Sequence, residues 1–159
     1  MLAAPNVSSA SLQPDWLLSE SGWRSDWQID ISDGLITGLG PACGGAERLH
    51  GQALTPAFVN SHSHAFQRTI RGRTEYRHPE RPSDDFWSWR ELMYQAAMRL
   101  NPDQLEQVAR LLYLEMAEAG ITTVGEFHYQ HHQPDGQRYA NPDEMALRLK
   151  AAADWAGIG

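Results

Sequence analysis

Leu54-Thr55-Pro56-Ala57-Phe58-Val59-Asn60-Ser61-His62-Ser63-His64-Ala65-Phe66-Gln67-Arg68 decides how this chain is read. A short apolar run, Ala57 to Asn60, leads into a His-x-His pair. Along a strand, side chains i and i+2 share a face. His62 and His64 therefore aim both imidazoles at one point just past the strand's end. Imidazole is the commonest protein ligand of a metal ion, and zinc takes it at about 2.0–2.1 Å. An isolated His-x-His is more often two loop histidines. Here the apolar strand before it and a βαβ pattern after it favour metal ligation.

Downstream, the pattern is helical, then extended, then helical. Ser83 reads as an N-cap, with Asp84 and Asp85 in the first turn where the helix dipole favours acid. Phe86, Trp89, Met93, Ala97 and Leu100 then fall on one apolar face. Asn101-Pro102-Asp103-Gln104 combines an N-cap, a proline at N1 and a capping-box glutamine. Leu105, Val108, Leu112 and Met116 form that helix's stripe, and Gly120 ends it. Ile121 to Phe127 is β-branched and apolar, a second strand. Asn141-Pro142-Asp143-Glu144 repeats the helix-start chemistry, Gly157 stops that helix, and the last residues read as the first step of another strand. This order predicts an α/β fold with a parallel sheet. The segment His64 to Pro82 reads as a long loop with Arg68, Arg71, Arg73, Arg77 and Arg81, mostly solvated, one or two facing an acidic substrate.

Upstream, Met1 to Pro14 reads as a loose terminus and Asp15 to Leu18 as a short strand. Gln28 to Leu39 alternates and turns on Asp33-Gly34, a strong hairpin signal. Gly40 to Gly45 reads as loop and Leu49 to Leu54 as another short strand.

The 159 residues carry a net charge of −7. Nothing forms a basic patch, so nucleic acid is not an expected partner. The single cysteine, Cys43, excludes an internal disulfide framework and suits a reducing compartment. No run approaches the roughly 20 apolar residues of a membrane span, and no signal peptide is visible. The expectation is a cytoplasmic protein with no membrane partner.

The pattern Pro-x-x-x-Asn-x-His-x-His resembles the first barrel strand of the amidohydrolase superfamily. Three stretches narrow the resemblance: Ser61 to Arg68, Phe86-Trp87-Ser88-Trp89-Arg90-Glu91-Leu92-Met93-Tyr94, and Val124-Gly125-Glu126-Phe127-His128-Tyr129. They are similar to formimidoylglutamate deiminases, zinc enzymes of histidine breakdown. The likeness runs from about Asp33 to Gly159. Ala57 stands where members usually have glycine.

The resemblance implies an N-terminal portion of a longer enzyme, because a (β/α)₈ barrel typically needs about 250 residues. Residues 56–159 would be the first two barrel strands with their helices. Residues 1–55 would be part of a small β-sandwich domain. It implies one Zn²⁺, with His62 and His64 as ligands and the remaining ligands and proton-shuttle residues beyond Gly159. Gln67 and Tyr129 carry over as substrate-binding. The full-length enzyme would hydrolyse a small molecule, N-formimino-L-glutamate, to N-formyl-L-glutamate and ammonia, and would form a homo-oligomer. Two rivals stand beside this reading: a nucleobase-type amidohydrolase deaminase, and a catalytically inactive truncated fragment. Glu126 reads equally as a partner of a metal-bound imidazole or as a buried structural residue. His128, His131 and His132 are not expected to form a second metal site.

Overall fold

The computed structural model describes residues 9–75 and 85–159, and the chain divides into two units, Met1–Ala57 and Phe58–Gly159. In the first unit, β1 (Ser9–Ser19), β2 (Gly22–Arg24), β3 (Trp27–Ser32), β4 (Leu35–Pro41) and β5 (Glu47–Leu54) make one five-stranded sheet. The order is β2-β1-β3-β4, with β5 lying parallel on β1. The expected hairpin is present: Asp33 and Gly34 take φ of 50° and 78°, and the turn joins β3 to β4. The expected loose terminus is corrected from Ser9 onward. Ser9 to Leu12 pair antiparallel with Ile29 to Ser32, so backbone pairing with β3 orders a segment whose side chains give little strand signal. Pro14, which has no N–H to donate, sits where the β1–β5 ladder slips register. Gly51, at φ 71°, accommodates the slip and donates its N–H to Asp15 Oδ2 at 2.7 Å.

The second unit holds β6 (Phe58–Ser63), a 3₁₀ helix over Ala65–Ile70, α1 (Phe86–Ala97), α2 (Pro102–Glu118), β7 (Ile121–Glu126) and α3 (Glu144–Ala156). β6 and β7 run parallel. Where the sequence reads as loop after His64, the chain coils into the 3₁₀ helix, which buries Ala65, Phe66 and Ile70. The start of α1 also differs from expectation. Asp85 is the cap itself: its Oδ1 accepts from the Trp87 and Ser88 N–H groups, each at 3.0 Å. Ser83 and Asp84 lie outside the described residues. Met93 and Ala97 face the core, but Phe86 is 60% exposed, since it lies in the first turn before the helix reaches its packing partners.

α2 begins as expected. Gln104 N–H donates to Asn101 Oδ1 at 2.9 Å, and Asn101 N–H donates to Gln104 Oε1 at 3.1 Å. Its buried stripe is Leu105, Ala109, Tyr113 and Met116, rotated from the expected line so that Val108 and Leu112 flank it. α3 departs from expectation at its start. Asp143 makes no side-chain cap, and Asn141 Oδ1 instead accepts from Asp143 N–H at 3.1 Å. That local turn uses the asparagine before it can cap, and the helix begins at Glu144. Gly157 ends α3 at φ 74°.

One cluster, including Phe66, Met93, Leu105, Tyr113, Met145 and Leu149, forms the core between the helices. Past α3, Gly159 N–H donates to Thr122 O and Gly159 O accepts from Val124 N–H, both at 2.9 Å. The backbone thus begins a third strand position beside β7, as the last residues predict.

Candidate metal centre

Parallel α/β sheets bind ligands outside the carboxyl ends of their strands. β6 and β7 end together, at Ser63 and Glu126, which face one another in register. Just before that end the register slips. Asn60 pairs with Val124 and Ser63 with Glu126, so Ser61 and His62 oppose Gly125 alone. This is a β-bulge, which re-aims a side chain at the cost of a ladder step. Asn60 Oδ1 supports it by accepting the His62 N–H at 3.2 Å.

The bulge brings the two imidazoles together. His62 Nε2 and His64 Nε2 are 2.9 Å apart, with the rings perpendicular. Two imidazoles on one tetrahedral zinc place their donor nitrogens about 3.3 Å apart, from the usual zinc–nitrogen distance. The observed spacing differs by a few tenths of an ångström, within reach of a small ring rotation. The chemistry of the donor set agrees. His64 Nδ1 lies 2.6 Å from Phe127 O. A carbonyl oxygen only accepts, so Nδ1–H of His64 donates to it, and Nε2 of His64 is left to accept from Nε2–H of His62. A metal-ligating histidine is commonly fixed in this way, through its other nitrogen. The pair therefore fits a metal ion, as two of its ligands. Among the described residues no group of three or more His, Cys, Asp or Glu side chains could hold one.

Tyr129 is part of this arrangement. Its ring stacks on His64 at 5.3 Å and packs edge-on against Phe66 and Phe127. Gln67 is placed differently. Its carboxamide Nε2 lies 3.3 Å from Met93 Sδ on α1, and among the described residues no hydrogen bond joins it to either imidazole. Glu126 holds backbone rather than an imidazole: its Oε1 accepts the Ala65 N–H at 2.7 Å. Beneath it, burial first and then the Glu126 carboxylate push the Tyr113 phenol up, so that it stays protonated.

The loop histidines are arranged otherwise. His128 Nδ1 donates to Gln130 O within its own loop at 3.0 Å. Burial pushes its pKa down, and His131, with its ring 4.8 Å away, adds to that. His131 and His132 are exposed beside the turn at Pro134-Asp135-Gly136. Sequence reading also passed over Arg90. Its guanidinium lies over the rings of Trp87 and Tyr94, at 5.7 and 4.9 Å, and Tyr94 packs against Tyr129. The only sequence signal for this was the i, i+4 spacing of Arg90 and Tyr94 in a helical stretch.

At the carboxyl-terminal strand edge two imidazoles converge, and the second is held by a backbone carbonyl. Comparison with known proteins gives the family. The Amidohydrolase family model matches residues 53–159, and the chain belongs to that family. Formimidoylglutamate deiminase from Pseudomonas aeruginosa is 48% identical over 145 residues, which cover 89% of this chain and 31% of that protein. The crystal structure of an amidohydrolase from Brucella melitensis matches with a TM-score of 0.84 and 43% identity, over 94% of this chain and 33% of that one. Atrazine chlorohydrolase from Arthrobacter aurescens, crystallised with zinc, shares the fold at a TM-score of 0.72 and 21% identity, over 94% of this chain and 34% of that one. The chain thus spans about a third of the length of the curated relative it matches. No helix among the described residues is long and apolar enough to cross a membrane.

Proposed function

We propose that this chain carries part of the active site of a zinc-dependent deiminase that converts N-formimino-L-glutamate and water to N-formyl-L-glutamate and ammonia. The observation that carries the reading is the 2.9 Å convergence of His62 Nε2 and His64 Nε2 with His64 Nδ1 bound to Phe127 O. The 48% identity to a formimidoylglutamate deiminase supports this substrate over others of the family. In this reading the second unit is the first part of a (β/α)₈ barrel, and the five-stranded sheet is part of a small β-sandwich.

Zinc held by His62 and His64 would supply Lewis acidity and a bound water with a pKa near about 7. The chain's own residues prepare that ion and the substrate's place. His64 offers a lone pair of fixed direction. Tyr129 covers one face of the His64 ring and offers a phenolic donor to a substrate carboxylate. Gln67 offers an amide that can donate and accept, after turning from Met93. Arg90 has no carboxylate partner among the described residues. It reaches toward the same mouth through Tyr94 and suits an anionic substrate.

Two imidazoles fall short of the three protein ligands usual in catalytic zinc sites, so turnover requires a ligand from outside the described residues. The resemblance assigns the remaining ligands to later strands of the full-length enzyme, so the 159-residue chain by itself is expected to be inactive. The test is ammonia release by the complete enzyme, offered formiminoglutamate, guanine or cytosine. Turnover of a nucleobase without turnover of formiminoglutamate would transfer the reading to a nucleobase deaminase. Ammonia release by the 159-residue chain, lost on His62→Ala, would overturn the claim that it is inactive alone.

A further inference from the structure

The end of β7 grips the segment around His64 at three points. Phe127 N–H donates to Ser63 O at 2.8 Å, His64 Nδ1–H donates to Phe127 O at 2.6 Å, and Ala65 N–H donates to Glu126 Oε1 at 2.7 Å. These bonds flank and include the histidine, so they fix both its backbone and its ring. At the bulge β7 also lies close to the backbone of β6. A Cβ built on Gly125 would sit 2.8 Å from Ser61 O and 3.1 Å from Ser61 C. Both are backbone atoms, which have no flexible end to swing aside, so any side chain there must part the strands. Gly125 does not take a positive φ. Its glycine is thus required by close approach and not by backbone conformation.

We propose that Gly125 and Glu126 are positioning residues for the metal centre. Gly125 admits the close approach, Glu126 anchors the residue after His64, and together they hold the His64 ring against the Phe127 carbonyl so that Nε2 presents its lone pair to a metal. The proposal rests on the reading of His62 and His64 as ligands, but the ring's tautomer can be read without metal. Glu126 is half-buried, with one carboxylate oxygen committed to the Ala65 N–H.

The experiment uses the full chain labelled with ¹⁵N-histidine. Long-range ¹H–¹⁵N spectra of the metal-free protein report which His64 nitrogen carries the proton. Chelator competition then reports zinc affinity. The parent chain and Glu126→Gln, whose amide oxygen still accepts the Ala65 N–H, should show the Nδ1–H form and similar affinity. Gly125→Ala and Glu126→Ala should lose the uniform Nδ1–H form and bind zinc about 10–100-fold more weakly, the usual cost of removing an outer support of a metal ligand. Gly40→Ala, where a Cβ meets nothing within 4 Å, is the control for adding a methyl group. An unchanged His64 tautomer in both Gly125→Ala and Glu126→Ala overturns the proposal. So does an equal loss of affinity in Glu126→Gln and Glu126→Ala, since that would assign the effect to charge alone. If the tautomer shifts as expected but the parent chain binds no zinc, the positioning stands and the metal reading falls.

Discussion

Two histidine pairs in this chain have nearly the same spacing and different chemistry. The rings of His62 and His64 are 4.7 Å apart, and those of His128 and His131 are 4.8 Å apart. In the first pair the Nε2 atoms meet at 2.9 Å, and the Nδ1 of His64 is tied to a neighbouring strand. In the second, the Nδ1 of His128 is used by the carbonyl two residues on, and burial lowers the ring's pKa. The difference is the backbone beneath them. A bulged strand, held by its parallel neighbour, brings two Nε2 atoms into hydrogen-bond contact; a loop that satisfies its own hydrogen bonds only places rings side by side. Proximity of imidazoles is therefore a poor sign of a metal site until the second nitrogen of each ring is accounted for.

The sharpest way to break this comparison is to remove the pairs one at a time. His62→Ala and His64→Ala should each weaken zinc binding by more than about 100-fold, beyond the cost of losing an outer support, while His128→Ala and His131→Ala should leave the affinity within about twofold. Calorimetric zinc titration of the four variants makes the check, and equal losses across both pairs would erase the distinction. The next effect is on the support below the first pair. Phe66 is fully buried beside His64. Phe66→Ala should cost about 3–5 kcal/mol of stability, read by urea denaturation, and a cost under about 1 kcal/mol would mean the site does not rest on that core.

A smaller effect separates the well-capped α2 from α3. Asn101→Ala removes the α2 capping box and should cost about 1 kcal/mol, whereas Asp143→Ala, with no cap bond to lose, should cost little. Thermal melts of the two variants compare them directly. The smallest effect is in pH. The folded-state pKa of His128 is lowered, so the unfolded chain binds more protons there below its ordinary value near 6.5. Stability from this group is complete above that value and declines as the pH falls through it toward the lower folded-state pKa. His128→Asn should flatten the slope of stability against pH in that window, and an unaltered slope would place the acid sensitivity elsewhere.

Much of this arrangement was legible in the residues, and the reasons differ by element. Asn101-Pro102-Asp103-Gln104 and Asp33-Gly34 were readable because their chemistry is local: each motif satisfies or bends only its own backbone. His62 and His64 were singled out by their i, i+2 spacing, but the bulge between Asn60 and Ser63, which the spacing does not show, is what brings their Nε2 atoms together. The 3₁₀ helix after His64 and the strand from Ser9 were not readable, because each is ordered by distant partners, Phe66 by the core of α2 and Ser9 to Leu12 by β3. The roles of Gly125 and Glu126 were hidden for the same reason. A glycine in a β-branched run looks like a weakness until the bulge it faces is seen, and Glu126 gave no sign of which backbone N–H it would hold. The α3 start misled because Asn141 could satisfy either a cap or a tighter turn, and the turn won.

The measurement that tests the central claim most directly is zinc-edge X-ray absorption on the zinc-loaded chain. The account predicts two imidazole nitrogens at about 2.0–2.1 Å, reduced to one in either His62→Ala or His64→Ala wherever residual metal is retained. An unchanged imidazole shell in the double variant His62→Ala/His64→Ala would contradict it, and would mean that any metal this chain binds is held somewhere else.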